Sequence, residues 1–422
     1  MFRYLTGEKG SRYFSCLILI MMFLSSCVQH KPINHSGSVG INPELAAALQ
    51  KVIDNAVNPE PLKSSKTKVI GISSAIIIPD QGIWRGTAGW NDPTTSSILR
   101  EDMVFQLGSL TKNFTAALLL KELEKGQSYC NNKSGLDCLD CPVFSFIPGT
   151  VASNKNISKK ATLRQALNMT SGIFSYTNDP NYTGDLGTNY DRFWDPLNIV
   201  TTMVGPQVFP PGEAGQWDYS NTNFVLGGMI LQAFFNNYDL SPAFRTNFFT
   251  PYKLTETYMG GFESVNSPRA NGWTDYTGNL QLDNMGSMPE RAVLTSSWAA
   301  GSFISDADDA AQWIDALYGK KAVLSPDALK AMLTFVDVPS SQNNWWDGYG
   351  LGTMRMHVKT DKGEEELYGY GGNTFTFTSF AFYLPSRGAS ISFLINEGFT
   401  DSQRVTIAEE LTNVLVDYLP PR

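Results

Sequence analysis

The sequence predicts an α+β fold: one antiparallel sheet built from both ends of the chain and flanked by helices, with a large, mostly helical insert between them. Three observations predict it. Apolar, β-branched runs separated by turn residues sit near both ends: Val69 to Ile78 and Ile83 to Gly89 around Pro79-Asp-Gln-Gly82, then Phe377 to Leu384 and Ala389 to Ile395 around Pro385-Ser-Arg-Gly388. The middle of the chain mixes helical periodicity with long polar loops. The 422 residues, 42% hydrophobic and 17% charged, suffice for the core of one large or two intimate domains.

Each element follows in order. Arg3, Lys9 and Arg12 precede the apolar run Tyr13 to Leu24, a signal-peptide pattern too short to favour a spanning helix. The run ends in Leu24-Ser-Ser-Cys27, which resembles the bacterial lipoprotein cleavage box. That resemblance makes 1–27 a lipoprotein signal peptide, with Cys27 carrying the lipid after cleavage; an ordinary secretory signal is the alternative. Acyl chains contribute roughly 0.8 kcal/mol per buried CH₂, so several anchor firmly. Val28, rather than Asp, follows the cysteine, which by the same resemblance favours the outer membrane. The expected location is the bacterial cell envelope, lipid-anchored and facing the periplasm.

Residues 28–41 are polar and read as a tether. Asn42-Pro43 opens a helix with Leu45, Leu49, Val52, Ile53 and Ala56 on one face. Leu163 to Met169 and Asn223 to Phe234 are helix-like, and the carboxylates of Ser305-Asp-Ala-Asp-Asp309 read as caps of the helix that follows rather than a cation site. Glu365 to Tyr370 is a strand and Val405 to Tyr418 a closing amphipathic helix. Within a domain spanning 42–422, the sheet part is expected at about 42–108 and 362–422 and the helical part at about 109–361.

Composition excludes several functions. The net charge is −8, and no Lys/Arg cluster lies outside the leader, so no nucleic-acid partner is expected. Of three histidines, His30 and His35 lie near the leader; His357 sits in the strand-like Met354-Arg-Met-His-Val358. A Ser-His-Asp triad would rest on His357 alone, and a His-rich metal site is excluded. Cys130, Cys138 and Cys141 crowd one loop; one disulfide among them with one thiol left over is expected, rather than a zinc or redox site. No metal or cofactor is expected.

The chemistry lies in three segments. Ser109-Leu-Thr-Lys112 opens an apolar helix, which sets a hydroxyl and an amine on one face in the positive field of the helix N-terminus. Those are conditions for a nucleophile activated without histidine. Ser65-Lys-Thr-Lys68 has the same spacing but no helix behind it. Tyr219-Ser-Asn221 follows Phe209-Pro-Pro-Gly-Glu213 and precedes a helix; Tyr176-Thr-Asn178 matches the pattern without that lead-in. Tyr370-Gly-Gly372, followed by Asn373, puts glycines in a strand, where a ligand or another backbone comes close.

In this order the segments resemble the serine β-lactamase and penicillin-binding protein superfamily, in the branch of class C β-lactamases, D-Ala-D-Ala carboxypeptidases and family VIII esterases. The resemblance spans roughly 68–418 and implies a β-lactamase-like fold. It implies Ser109 as the acylated nucleophile, Lys112 as base or partner of the base, and Tyr219 as proton donor to the leaving group. Asn221 would orient Lys112 and the substrate amide, and the backbone N–H groups of Ser109 and Asn373 would form an oxyanion hole. Free lysine is neutral in only roughly one molecule in a few thousand at pH 7, so Lys112 must be desolvated or sit beside positive potential.

The third segment departs from the family, which usually begins it with Lys or His and often places Thr second. Tyr370 and Gly371 supply no cation and one neutral hydroxyl, so an anionic substrate terminus is less well held. The expectation is therefore a periplasmic serine hydrolase cleaving a small-molecule or peptide ester or amide, with Asn221, Tyr370, Gly371, Gly372 and Asn373 binding substrate and a membrane contact through the lipid. The alternatives are D-Ala-D-Ala carboxypeptidase or β-lactamase activity, and a non-catalytic lipoprotein that binds peptidoglycan peptides. The aromatic loops Phe193-Trp194 and Trp345-Trp346 are candidates to line a cleft or to anchor loops.

Overall fold

The computed structural model describes residues 40–342 and 345–422. The leader, Cys27 and the tether through residue 39 lie outside the described residues. Helix α1 (Pro43–Ala56) starts where Asn42 caps it, its side chain accepting from Glu44 N and Leu45 N, with Leu45, Leu49, Val52, Ile53 and Ala56 buried. Strands β1 (Gly71–Ile78) and β2 (Gly82–Asp92) form the expected first hairpin, and β3 (Ser97–Ile98) extends it. Helix α2 (Thr111–Leu123) is buried on nearly every side, Lys112 and Asn113 included, around the apolar run Ala116 to Leu120. Helix α3 (Asn221–Phe235) packs along it, with Gly227 against Leu119.

Helix α4 (Ala307–Ile314) is capped by Asp306, which accepts from Asp309 N at 2.8 Å, so the acidic run does cap a helix. Six strands follow: β4 (Val336–Asp337), β5 (Gly348–Tyr349), β6 (Met354–Thr360), β7 (Gly363–Asn373), β8 (Thr378–Leu384) and β9 (Ala389–Ile395). Helix α5 (Asp401–Tyr418) closes the fold. The nine-stranded sheet runs β4-β5-β6-β7-β8-β9-β1-β2-β3. Both chain ends therefore meet in it, β1 pairing with β9 from Ile72↔Ile395 to Ile77↔Ser390. Helices α1 and α5 pack on each other and on β2 and β6 respectively, and α4 packs on β1 and β9.

The antiparallel sheet completed by both termini stands as the sequence predicts. The helical part ends earlier than expected, because β4, β5 and β6 lie inside 109–361. Two of these strands are two residues long, too short for alternation to register. Cys130 and Cys141 form the disulfide and Cys138 stays a buried thiol. His357 lies on β6 and pairs with Asp347, away from the cleft described below. No group of acidic, His and Cys side chains suited to a metal occurs among the described residues, and no described helix is long and apolar enough to cross a membrane.

Glu397, just past β9, is a buried carboxyl that accepts from Ile70 N at 3.1 Å. Burial raises its pKa to about 7. The folded state thus holds a proton that the unfolded chain releases above its ordinary carboxylate range. This group's stabilisation is fully present below that range and is lost as pH rises through about 7. Glu397→Gln should shrink the difference in urea-unfolding free energy between pH 5 and pH 8 by about 1–3 kcal/mol. An unchanged difference would show that the carboxyl does not titrate with folding.

Candidate active site

Ser109 stands in one 3₁₀ turn, Gly108–Leu110, that runs into α2. Gly108 has φ +53°, and a Cβ on it would meet Asn373 O at 2.6 Å. A Cβ on Gly372 would lie 2.1 Å from Leu107 O and 2.7 Å from Ser109 N. These two glycines let the end of β7 press against the serine turn. Ser379 Oγ on β8 donates to Leu107 O at 2.7 Å, and Leu107 N donates to Phe303 O at 2.7 Å, so the turn is held from both sides.

Lys112 lies one turn further on and is 0% exposed. Its Nζ is 2.9 Å from Ser109 Oγ and donates to Ala300 O at 2.7 Å. The rings of Tyr219 and Phe224 cover it, with centroids 5.1 and 5.8 Å away. No carboxylate pairs with it among the described residues. Burial without an acid disfavours the ammonium and pushes the Lys112 pKa well below the ordinary lysine range.

Tyr219 immediately precedes the cap of α3, and its hydroxyl bonds Tyr370 OH at 3.2 Å. Burial raises its pKa to about 12; the neighbouring hydroxyls of Ser109 and Tyr370 and the Arg404 charge pull the other way. Tyr370 is fully buried on β7 and also bonds Tyr349 OH on β5. Burial drives both of those phenols well above the usual tyrosine range.

The structure thus brings Ser109, Lys112, Tyr219, Tyr370, Gly371, Gly372 and Asn373 together. Asn221 is placed differently from the expectation. As the first residue of α3 it donates from Nδ2 to Thr177 Oγ1 at 3.1 Å and from N to Ser175 Oγ at 3.0 Å, and no bond joins it to Lys112 among the described residues. The carbonyl of Ala300 holds the amine instead. The two decoys also separate. Ser65 Oγ accepts from Thr67 N and Lys68 N in a connector, and Tyr176 OH donates to Ser296 O in the core.

Sequence reasoning missed Arg404. It sits on α5, 2% exposed, and donates to Gly372 O at 2.7 Å and to Asn373 Oδ1 at 2.5 Å while pairing with Asp401 at 2.9 Å. Burial lowers its pKa to about 10. Asn373 is held in turn: Thr378 Oγ1 donates to Oδ1 and Nδ2 donates to Asp401. The Trp345 ring lies 4.9 Å over the Arg404 guanidinium, and a Cβ on Gly371 would meet that ring at 2.8 Å. Nothing in the spacing of Arg404 marked it; a helical arginine with an acid three residues earlier reads as a surface pair.

Ser109 and Tyr219 open into a cleft of about 710 Å³ lined also by Trp345, Trp346, Gly371 and Arg404. Of the aromatic loops, Trp345-Trp346 lines the cleft. Phe193-Trp194 does not: Trp194 is buried and Phe193 packs on Phe262. A second cavity of about 290 Å³ lies past the end of β7, between Phe375 and Phe377 on one side and Leu186, Tyr190, Met285 and Met288 on the other.

Comparison with known proteins agrees with this architecture. A family model described as Beta-lactamase matches residues 47–414. Penicillin-binding protein 4* of Bacillus subtilis is 27% identical over 180 residues, covering 42% of this chain and 35% of that protein. The unguisins hydrolase of Aspergillus violaceofuscus is 23% identical over 259 residues, covering 60% of this chain and 43% of that protein. The chain thus matches under half the length of these curated relatives. A D-stereospecific amidohydrolase from Streptomyces superposes with TM-score 0.70 and 28% identity over 86% of this chain and 98% of that one. The D-amino acid amidase of Ochrobactrum anthropi superposes with TM-score 0.71 and 21% identity over 89% of this chain and 99% of that one, a likeness of fold.

The contact between Gly372 and the serine turn is tight enough to test. Gly372→Ala should lower unfolding stability by about 1–3 kcal/mol through overpacking against Leu107 O. A chemical-denaturation midpoint equal to that of the native chain would show that the turn and strand are not in register as described.

Proposed function

The chain belongs to the beta-lactamase family, whose members and structural neighbours here are serine hydrolases, and on that premise we propose that it cleaves an uncharged amide or ester through an acyl-enzyme on Ser109. The observation that carries this reading is the 2.9 Å approach of Ser109 Oγ to a buried lysine amine with no acid partner. Burial favours the neutral form of this amine, which takes the serine proton as Oγ attacks the carbonyl carbon. The N–H groups of Ser109 and Asn373 hold the oxyanion, each contributing roughly 3–4 kcal/mol. Tyr219, protonated and within reach of Oγ, gives its proton to the departing heteroatom. Water then releases the acyl group by the reverse path.

Two features support an uncharged substrate. The cation nearest the leaving-group side, Arg404, is already spent on Asp401, Gly372 O and Asn373 Oδ1, and Trp345 covers it. The first position of the third segment is a neutral phenol. A free carboxylate would enter the cleft without a counter-charge, which burial penalises. The proton donor Tyr219 faces the larger cleft, so the leaving group belongs there. The acyl group then runs the other way along the end of β7, toward the apolar cavity behind Phe375 and Phe377. The D-stereospecificity named for the Streptomyces neighbour makes a D-aminoacyl amide the first substrate to try. We further propose that the protein is lipid-anchored through Cys27 in the periplasm, on the strength of the leader pattern alone.

A fluorophosphonate probe should label the native chain and leave Ser109→Ala unlabelled; labelling that survives the substitution would sink the reading. Lys112→Ala should slow acylation by about 10³-fold or more. Because the base is a neutral amine, native kcat/KM should rise with pH through the depressed Lys112 value, far below the ordinary lysine range. A panel of p-nitrophenyl butyrate, D-phenylalanine amide, nitrocefin and a D-Ala-D-Ala peptide should show turnover of the first two well above the carboxylate-bearing pair. Cys27→Ser should release the protein from the membrane fraction of cells that express it; retention would refute the anchor.

A further inference from the structure

Three hydroxyls stand in a row, Tyr219 OH, Tyr370 OH and Tyr349 OH, and Tyr219 opens with Ser109 into the same cleft. The far end is closed. Tyr349 is 0% exposed, and Tyr370 is its one hydroxyl partner among the described residues. A phenol carries one proton and can also accept. If Tyr349 did not donate to Tyr370, its own O–H would be a buried donor with no acceptor, an arrangement folded proteins avoid. The Tyr370 oxygen therefore accepts from Tyr349, and the Tyr370 proton has Tyr219 as its remaining partner. The Tyr219 oxygen accepts in turn, which leaves its own proton for the cleft that it shares with Ser109.

We propose that Tyr349 and Tyr370 are positioning residues that fix the direction of this row, Tyr349 to Tyr370 to Tyr219, so that Tyr219 meets the leaving group as a proton donor whose oxygen is already supported from behind. The inference rests on the acyl-enzyme reading above. In acylation the bond from Ser109 Oγ to the carbonyl carbon forms and the serine proton goes to Lys112 Nζ. As the bond from that carbon to the leaving nitrogen or oxygen breaks, the leaving atom takes the Tyr219 proton. The phenolate left on Tyr219 then takes the proton held on Lys112, and both groups return to neutral. Charge sits on the Tyr219 oxygen only between these two proton transfers. There it faces the O–H of Tyr370, itself polarised by Tyr349, in place of the cation that the third segment lacks.

The test separates this role from mere packing by varying the leaving group. A good leaving group departs without protonation; an alkoxide or amide anion cannot. With one acyl group, kcat/KM would be measured for the p-nitrophenyl, phenyl and ethyl esters and the primary amide. Tyr370→Phe should lower the ethyl ester and the amide about 10- to 100-fold and leave the p-nitrophenyl ester within about threefold. Tyr349→Phe, which keeps the Tyr370 donor but frees its direction, should give the same ordering with a smaller loss, and it carries the test if the Tyr370 variant does not fold. An equal loss across the series, or no loss, overturns the inference. Fluorophosphonate labelling of Ser109 in the native chain is measured alongside. No labelling fails the acyl-enzyme reading and this inference with it, whereas labelling with a flat series fails this inference alone.

Discussion

The site depends on one constraint: a lysine amine is buried without an acid to pair with. An ammonium taken out of water costs far more than its few neutral hydrogen bonds return, so burial favours the neutral amine. The fold meets this constraint through position. Helix α2 is enclosed on nearly all sides, so any side chain in its first turns that does not face the cleft is in the core. Ala300 O accepts one N–H and Ser109 takes the remaining capacity of Nζ. A carboxylate in place of Ala300 O would hold the amine charged.

Charge is managed in the same spirit on the substrate side. Arg404, which lines the cleft beside Ser109, clamps the end of β7 by holding Gly372 O and the Asn373 amide. Its work is to fix the strand whose backbone lies against Ser109. The polar groups that do face the reacting atoms are hydroxyls and backbone N–H groups, neutral in the resting state. A site of this kind selects by shape and by hydrogen bonding more than by charge.

Much of this was legible in the sequence. The two hairpins, α1 with its Asn42 cap, the helix after Ser109 and the acidic cap of α4 all follow from local periodicity and turn chemistry. Ser109, Lys112 and Tyr219 were legible because each sits at a helix start with a distinctive lead-in, which also separated them from Ser65 and Tyr176. The remainder required three dimensions. Strands of two residues, β4 and β5, leave no periodic trace. Tyr349 reaches Tyr370 only because β5 and β7 flank β6. Arg404 is an ordinary helical arginine until α5 lies across the end of β7. Asn221 was assigned to Lys112 by resemblance, and the local pull of Thr177 and Ser175 decided otherwise.

The pairing of β1 with β9 has a consequence for how the molecule is made. The first strand emerges early from the ribosome and can close only its hairpin with β2; its other edge must wait for nearly the whole polypeptide to be synthesised. Until then that edge is an open, apolar template. The serine turn is shaped by β7 and β8, so it too stays unformed until late. A chain cut short before its last strand would lack both its sheet and its chemistry, and folding slowed by such long-range closure favours a carrier that shields the nascent edge.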